Sequence, residues 1–78
     1  MNNHCLPLAM TAPGELVTIS EISAGPGLQK KLADMGFTPG VQMRVINVQA
    51  PGPVLIDLRG SRVALGQGIA QKIAVKKV

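Results

Sequence analysis

The stretch LADMGFTPGVQMRV, residues 32–45, constrains this chain more than any other. Gly36, Pro39 and Gly40 crowd between two apolar rhythms that neither can run through. Upstream, Leu28, Leu32 and Met35 recur at helical spacing, with Gln29, Lys30, Lys31 and Asp34 on the wet side. Pro26 suits the first turn of that helix, where its missing N–H costs nothing. Gly36 stands where a helix ends in a left-handed residue, which makes Leu32 and Phe37 the apolar pair of the cap. Pro39-Gly40 then presets a type II turn, because proline fixes φ and glycine accepts φ > 0. The three residues read as helix stop, tight turn and strand start. No lysine followed by serine or threonine trails them, as it would in a nucleotide-binding loop.

Strands account for the rest. LVTISEI alternates through Val17 and Ile19, with Leu16 and Ile22 off the beat. VQMRV puts Val41, Met43 and Val45 on one face, after which Ile46 and Val48 take the opposite parity. A slip of one residue in mid-strand marks a bulge or sharp bend. VLIDLRGSRVAL reads as a hairpin with Gly60-Ser61 as a two-residue type II′ loop. IAQ makes one helical turn, and KIAVKKV is the last strand. These elements predict a mainly β fold: a small curled barrel of about five strands with a short helical insertion. Residues 14–78 form the domain, and residues 1–13 are expected to be a flexible leader without periodicity.

Composition bounds the function. A chain of 78 residues is one small domain, and 46% apolar residues suffice for a core without staples. One cysteine, Cys5, permits no internal disulfide and fits a reducing compartment. No apolar segment approaches the ~20 residues of a membrane span, and the proline-broken start does not read as a signal peptide. The expected location is the cytoplasm. Eight basic against four acidic residues give a net charge of +4, which favours acidic partners.

Catalytic residues are not in evidence. His4 and Cys5 are adjacent and offer at most an incidental metal site, since a closed zinc site wants four ligands. Asp34 and Asp57 have no pairing in sequence, and Ser20 and Ser61 have no base nearby. The reading is of a non-enzyme with no cofactor, no catalytic residue and no functional metal site. Met35 and Met43 fall on core-facing beats.

With these residues in view, LQKKLADMGFTPGVQMRV and PVLIDLRGSRVALGQGIAQKIAV closely resemble the FeoA family of small ferrous iron transport proteins. The likeness covers most of residues 14–76. It rests on Leu32, Met35, Gly36, Pro39, Gly40, Gly60, Ala64, Leu65, Ala70, Ile73 and Val75. The resemblance implies an SH3-like barrel with a helical insertion, and a cytoplasmic accessory protein of ferrous iron uptake. The implied partner is the cytoplasmic G-protein part of a FeoB-type transporter, which would bring the chain to the inner face of the membrane. Transition metal ion binding comes with the family, although His4 and Cys5 are a poor ligand inventory. The competing reading is a small basic barrel that binds nucleic acid. Against it stand dispersed basic residues and a single aromatic, Phe37.

Fold-determining residues are thus Leu32, Met35, Gly36, Phe37, Pro39, Gly40 and Gly60. Partner contacts are expected at Arg59 and Arg62, with Lys30 and Lys31. A Gly60-Ser61 loop would set the two arginines directly cross-strand, where like charges are mildly destabilising. Two readings fit that placement: two long side chains that splay into water and keep a strand edge soluble, or two guanidinium forks that suit carboxylates of an acidic partner.

Overall fold

A computed structural model of the chain describes residues 5–49 and 51–78. Six strands are present among the described residues: β1 (Leu6–Pro7), β2 (Leu16–Ile22), β3 (Gln42–Val48), β4 (Val54–Leu58), β5 (Ser61–Leu65) and β6 (Ile73–Lys77). They form one antiparallel sheet in the order β1-β6-β2-β3-β4-β5. Helix α1 (Pro26–Asp34) is inserted between β2 and β3, and α2 (Gln67–Ala70) between β5 and β6. This is the mainly β arrangement with a helical insertion that the residue pattern predicts, and it has the SH3-like form that the resemblance implies.

Two bulges bend the sheet. Opposite β4, Val45 pairs with Ile56 and Asn47 with Leu55, so Ile46 is the extra residue where the parity slips. Opposite β6, Ile19 pairs with Val75 and Glu21 with Ala74, so Ser20 is extra. This second bulge explains why Ile22 looked off the beat: the inserted residue returns it to the inner face with Val17 and Ile19. All three are buried, with Met43, Val45, Val54, Ile56, Ile73 and Val75 facing them.

The junction around Gly36 follows the sequence closely. Pro26 is the first helical residue, after Gly25. At the other end Met35 is the last residue in right-handed conformation, and Gly36 turns left with φ +95°. Phe37 N–H donates to the Leu32 carbonyl and Gly36 N–H to the Ala33 carbonyl, both at 2.9 Å. This pair of bonds is a Schellman cap. Leu32 and Phe37 both lie in the core, Phe37 fully buried. Thr38 to Val41 then close the type II turn, with Gly40 at φ +94° and Val41 N–H bonded to the Thr38 carbonyl at 3.1 Å.

Four expectations need correction. Residues 6–11 are not a flexible leader: β1 pairs with β6, and Leu8, on a 3-10 turn over Leu8–Met10, is fully buried. Two extended residues and one turn are too short to show a period, so burial of Leu8 left no rhythm to read. The strand count rises accordingly from about five to six. Met35 does not face the core but is 42% exposed, because the chain leaves the helix at this residue and the inner stripe ends with Leu32. Finally, the hairpin loop is Arg59-Gly60, since Leu58 pairs with Ser61. Arg59 at φ 53° and Gly60 at φ +87° make it type I′, which requires positive φ at both central residues.

Candidate functional site

The hairpin tip is where the corrected loop matters. With Arg59 in the loop, Arg62 pairs across the hairpin with Asp57 rather than with Arg59. Asp57 in turn pairs with Arg44 on β3, and Arg44 with Leu16 on β2. Strand register therefore assembles one row over the outer face of the sheet: Leu16, Arg44, Asp57, Arg62. The Asp57 carboxylate accepts the Gly60 N–H at 2.8 Å and so braces the loop. Arg44 donates to the Gly14 carbonyl at 3.0 Å, which leaves the rest of its guanidinium exposed. Among the eight basic residues dispersed in sequence, the fold gathers Arg44, Arg59 and Arg62 around a single acid.

Arg59 also lies between two concavities. One, over β2, β3 and β4, is lined by Leu16, Gln42, Arg44, Asp57 and Arg59. The other separates the hairpin from the C-terminal end of α1 and has a volume of about 450 Å³. Its walls include Met35, Val41, Leu58, Arg59 and Val63. Met35, missed as a surface residue by its helical spacing, supplies this groove with exposed apolar area.

Arg59 is the one non-glycine residue at positive φ among those described. A left-handed conformation costs an L-residue about 1–2 kcal/mol, and asparagine or glycine would fill the position with less strain. Such conformations persist where the surrounding structure over-determines them, and they cluster at functional sites.

Lys30 and Lys31 are elsewhere. Both are exposed on α1; Lys30 faces Asp34 at 3.4 Å as an i,i+4 pair between two well-solvated groups. Neither lines a concavity that Arg59 lines, so the structure splits the four expected contacts into a hairpin pair and a helix pair.

His4 lies outside the described residues. Cys5 is exposed, and its thiol donates to Ser20 Oγ at 3.3 Å, at the β2 bulge. No three of His, Cys, Asp and Glu come together among the described residues, and no described helix is long and apolar enough to cross a membrane.

Comparison with known proteins adds identity to this geometry. A family model described as the FeoA domain matches residues 6–77. A protein of Methanocaldococcus jannaschii named as an Fe(2+) transport protein A is 43% identical over 70 residues, which span 90% of this chain and 84% of that protein. A crystal structure of an iron uptake regulatory protein, FeoA, superimposes with a TM-score of 0.89 at 33% identity, covering 96% of this chain and all of that one. The solution structure of iron(II) transport protein A from Clostridium thermocellum gives a TM-score of 0.85 at 26% identity, over 94% of this chain and 46% of that one. A manganese-dependent transcriptional repressor reaches a TM-score of 0.88 at 25% identity, but this chain covers only 38% of it.

Proposed function

The chain belongs to the FeoA family, and from that premise we propose that it is a non-enzymatic accessory protein of ferrous iron uptake. It works in the cytoplasm, where it binds the cytoplasmic G-protein part of a FeoB-type transporter through the hairpin tip. The observation that supports this surface is Arg59. It holds a left-handed position that asparagine or glycine would fill with less strain, and it lines two concavities beside Arg44 and Met35. A guanidinium there can offer a bidentate fork to a carboxylate, which a lysine would not reproduce.

Nucleic-acid binding gains no support. The lone aromatic, Phe37, is fully buried and gives a base nothing to stack on. The outer row interleaves Asp57 between Arg44 and Arg62, so it is not a continuous track for phosphates.

The test is capture of the transporter's cytoplasmic domain by the intact chain, compared with the Arg59→Gln/Arg62→Gln double variant across a range of salt. Weaker capture with a flatter salt dependence is expected. Equal capture at every salt concentration would leave the arginines as solvated charges only.

A further inference from the structure

The strand order leaves β1 and β5 with one neighbour each, and the two edges are built differently. β1 is two residues long and contains Pro7, the kind of short, proline-bearing edge that discourages pairing. β5 runs for five residues, SRVAL, without proline and without a bulge against β4. Ser61, Arg62 and Ala64 are exposed, and among the described residues β5 pairs only with β4.

The hairpin dictates which backbone groups face outward. Residues that flank a two-residue loop exchange both hydrogen bonds, and bonded pairs then alternate along the ladder. Leu58/Ser61, Ile56/Val63 and Val54/Leu65 are the bonded pairs in the observed register. The N–H and C=O groups of Arg62 and Ala64 therefore point to the open edge.

The two flanks of that edge differ in chemistry. On the outer face stands Arg62, in the row with Arg44 and Asp57. On the other side Val63 is half-buried and opens on the groove with Met35. We infer that β5 receives an extended segment of a partner protein as an antiparallel seventh strand. The segment carries carboxylates at positions beside Arg62 and apolar side chains at the alternate positions beside Val63. Charge favours such a partner over a second copy of this chain: each copy carries +4, and two β5 edges in contact would bring Arg59 and Arg62 of both to one seam. The inference deepens the accessory-protein reading by giving its contact a geometry, and it rests on that reading for the partner being a protein.

The probe is a capped seven-residue peptide of alternating glutamate and valine, titrated into the full-length ¹⁵N-labelled chain. Amide exchange at Arg62 and Ala64 should slow at least tenfold at saturation, with smaller changes at Ser61 and Val63. A peptide N-methylated on its glutamates, whose N–H groups would face β5, should bind at least tenfold more weakly, whereas methylation on the valines is tolerated. Ala64→Pro removes an outward N–H and no β4 bond, and should weaken the peptide about tenfold; if that variant does not fold, the methylated peptides carry the comparison. Unchanged exchange at Arg62 and Ala64, equal binding of both methylated peptides, or dimerisation that protects the same amides without peptide would each overturn the inference. The two readings can fail separately. Peptide binding without capture of the transporter domain removes the accessory role and keeps the edge, while full capture by folded Ala64→Pro removes the edge and keeps the role.

Discussion

Arg62 stands directly across the hairpin from Asp57, and the Asp57 carboxylate is bonded to the Gly60 N–H at 2.8 Å. The acid therefore serves two structural ends, bracing the turn and facing a cation. Asp57→Ala should lower stability by about 0.5–1.5 kcal/mol, the usual worth of one such hydrogen bond. Arg62→Gln should cost only some tenths of a kcal/mol, since opposite charges across strands contribute little on an exposed face. The like-charge pair expected from the sequence implies instead a fold left intact or slightly firmer when both arginines are replaced by Gln. Urea unfolding of the two single variants decides it.

Gly36 and Gly40 share almost the same φ, +95° and +94°, but not the same surroundings. A Cβ on Gly40 would meet nothing within 4 Å, whereas one on Gly36 would stand 3.1 Å from Leu58 Cδ2. Gly40→Ala should then show conformational strain alone, about 1 kcal/mol. Gly36→Ala adds displacement of a core leucine and should cost more, about 2 kcal/mol. Equal losses in thermal unfolding would show that Leu58 yields freely.

Glu15 ties the segment that precedes β2 to the last strand. Its carboxylate accepts the Ala12 N–H at 2.7 Å and pairs with Lys77 at 2.9 Å. The backbone hydrogen bond, and then Lys77, hold its pKa below the ordinary glutamate value. A folded-state pKa that is depressed adds stability above the unfolded value, and that stability is lost as pH falls through the folded one. The chain should therefore lose stability on acidification below about pH 4.5. Glu15→Gln should lessen that dependence, and melting temperatures measured from pH 6 to pH 3 check the slope.

Legibility from sequence followed locality. The helix stop at Gly36, the Pro39-Gly40 turn and the bulge at Ile46 were readable because each is set by the residues that form it. Leu8 was not, because its burial depends on β6, more than sixty residues away, rather than on any pattern of its own. The hairpin loop is ambiguous by one residue in the sequence, because Gly60 can serve either as the first central residue of a type II′ turn or as the second of a type I′ turn. Arg59 is an uncommon occupant of the latter. That one-residue shift also hid the outer row: Arg44, Asp57 and Arg62 meet only through the register of three strands. Met35 was placed inward by a spacing that does not register where the helix ends.

Arg59 offers the sharpest separation of stability from function. At φ 53° it pays for its place in conformational strain, with Gly60 behind it at φ +87°. Asparagine visits this region readily, and Asn-Gly is the favoured pair for a type I′ hairpin loop. Arg59→Asn should therefore stabilise the chain by about 0.5–1 kcal/mol, seen as a higher urea midpoint with an unchanged slope. The same substitution removes the guanidinium of a residue that lines both concavities and should weaken capture of the transporter's cytoplasmic domain. A residue that served only the fold would move both measurements in the same direction or leave capture untouched. Greater stability with weaker capture is the outcome expected of an arginine held at the tip for its partner. A variant that is more stable and binds just as tightly would remove Arg59 from the contact surface.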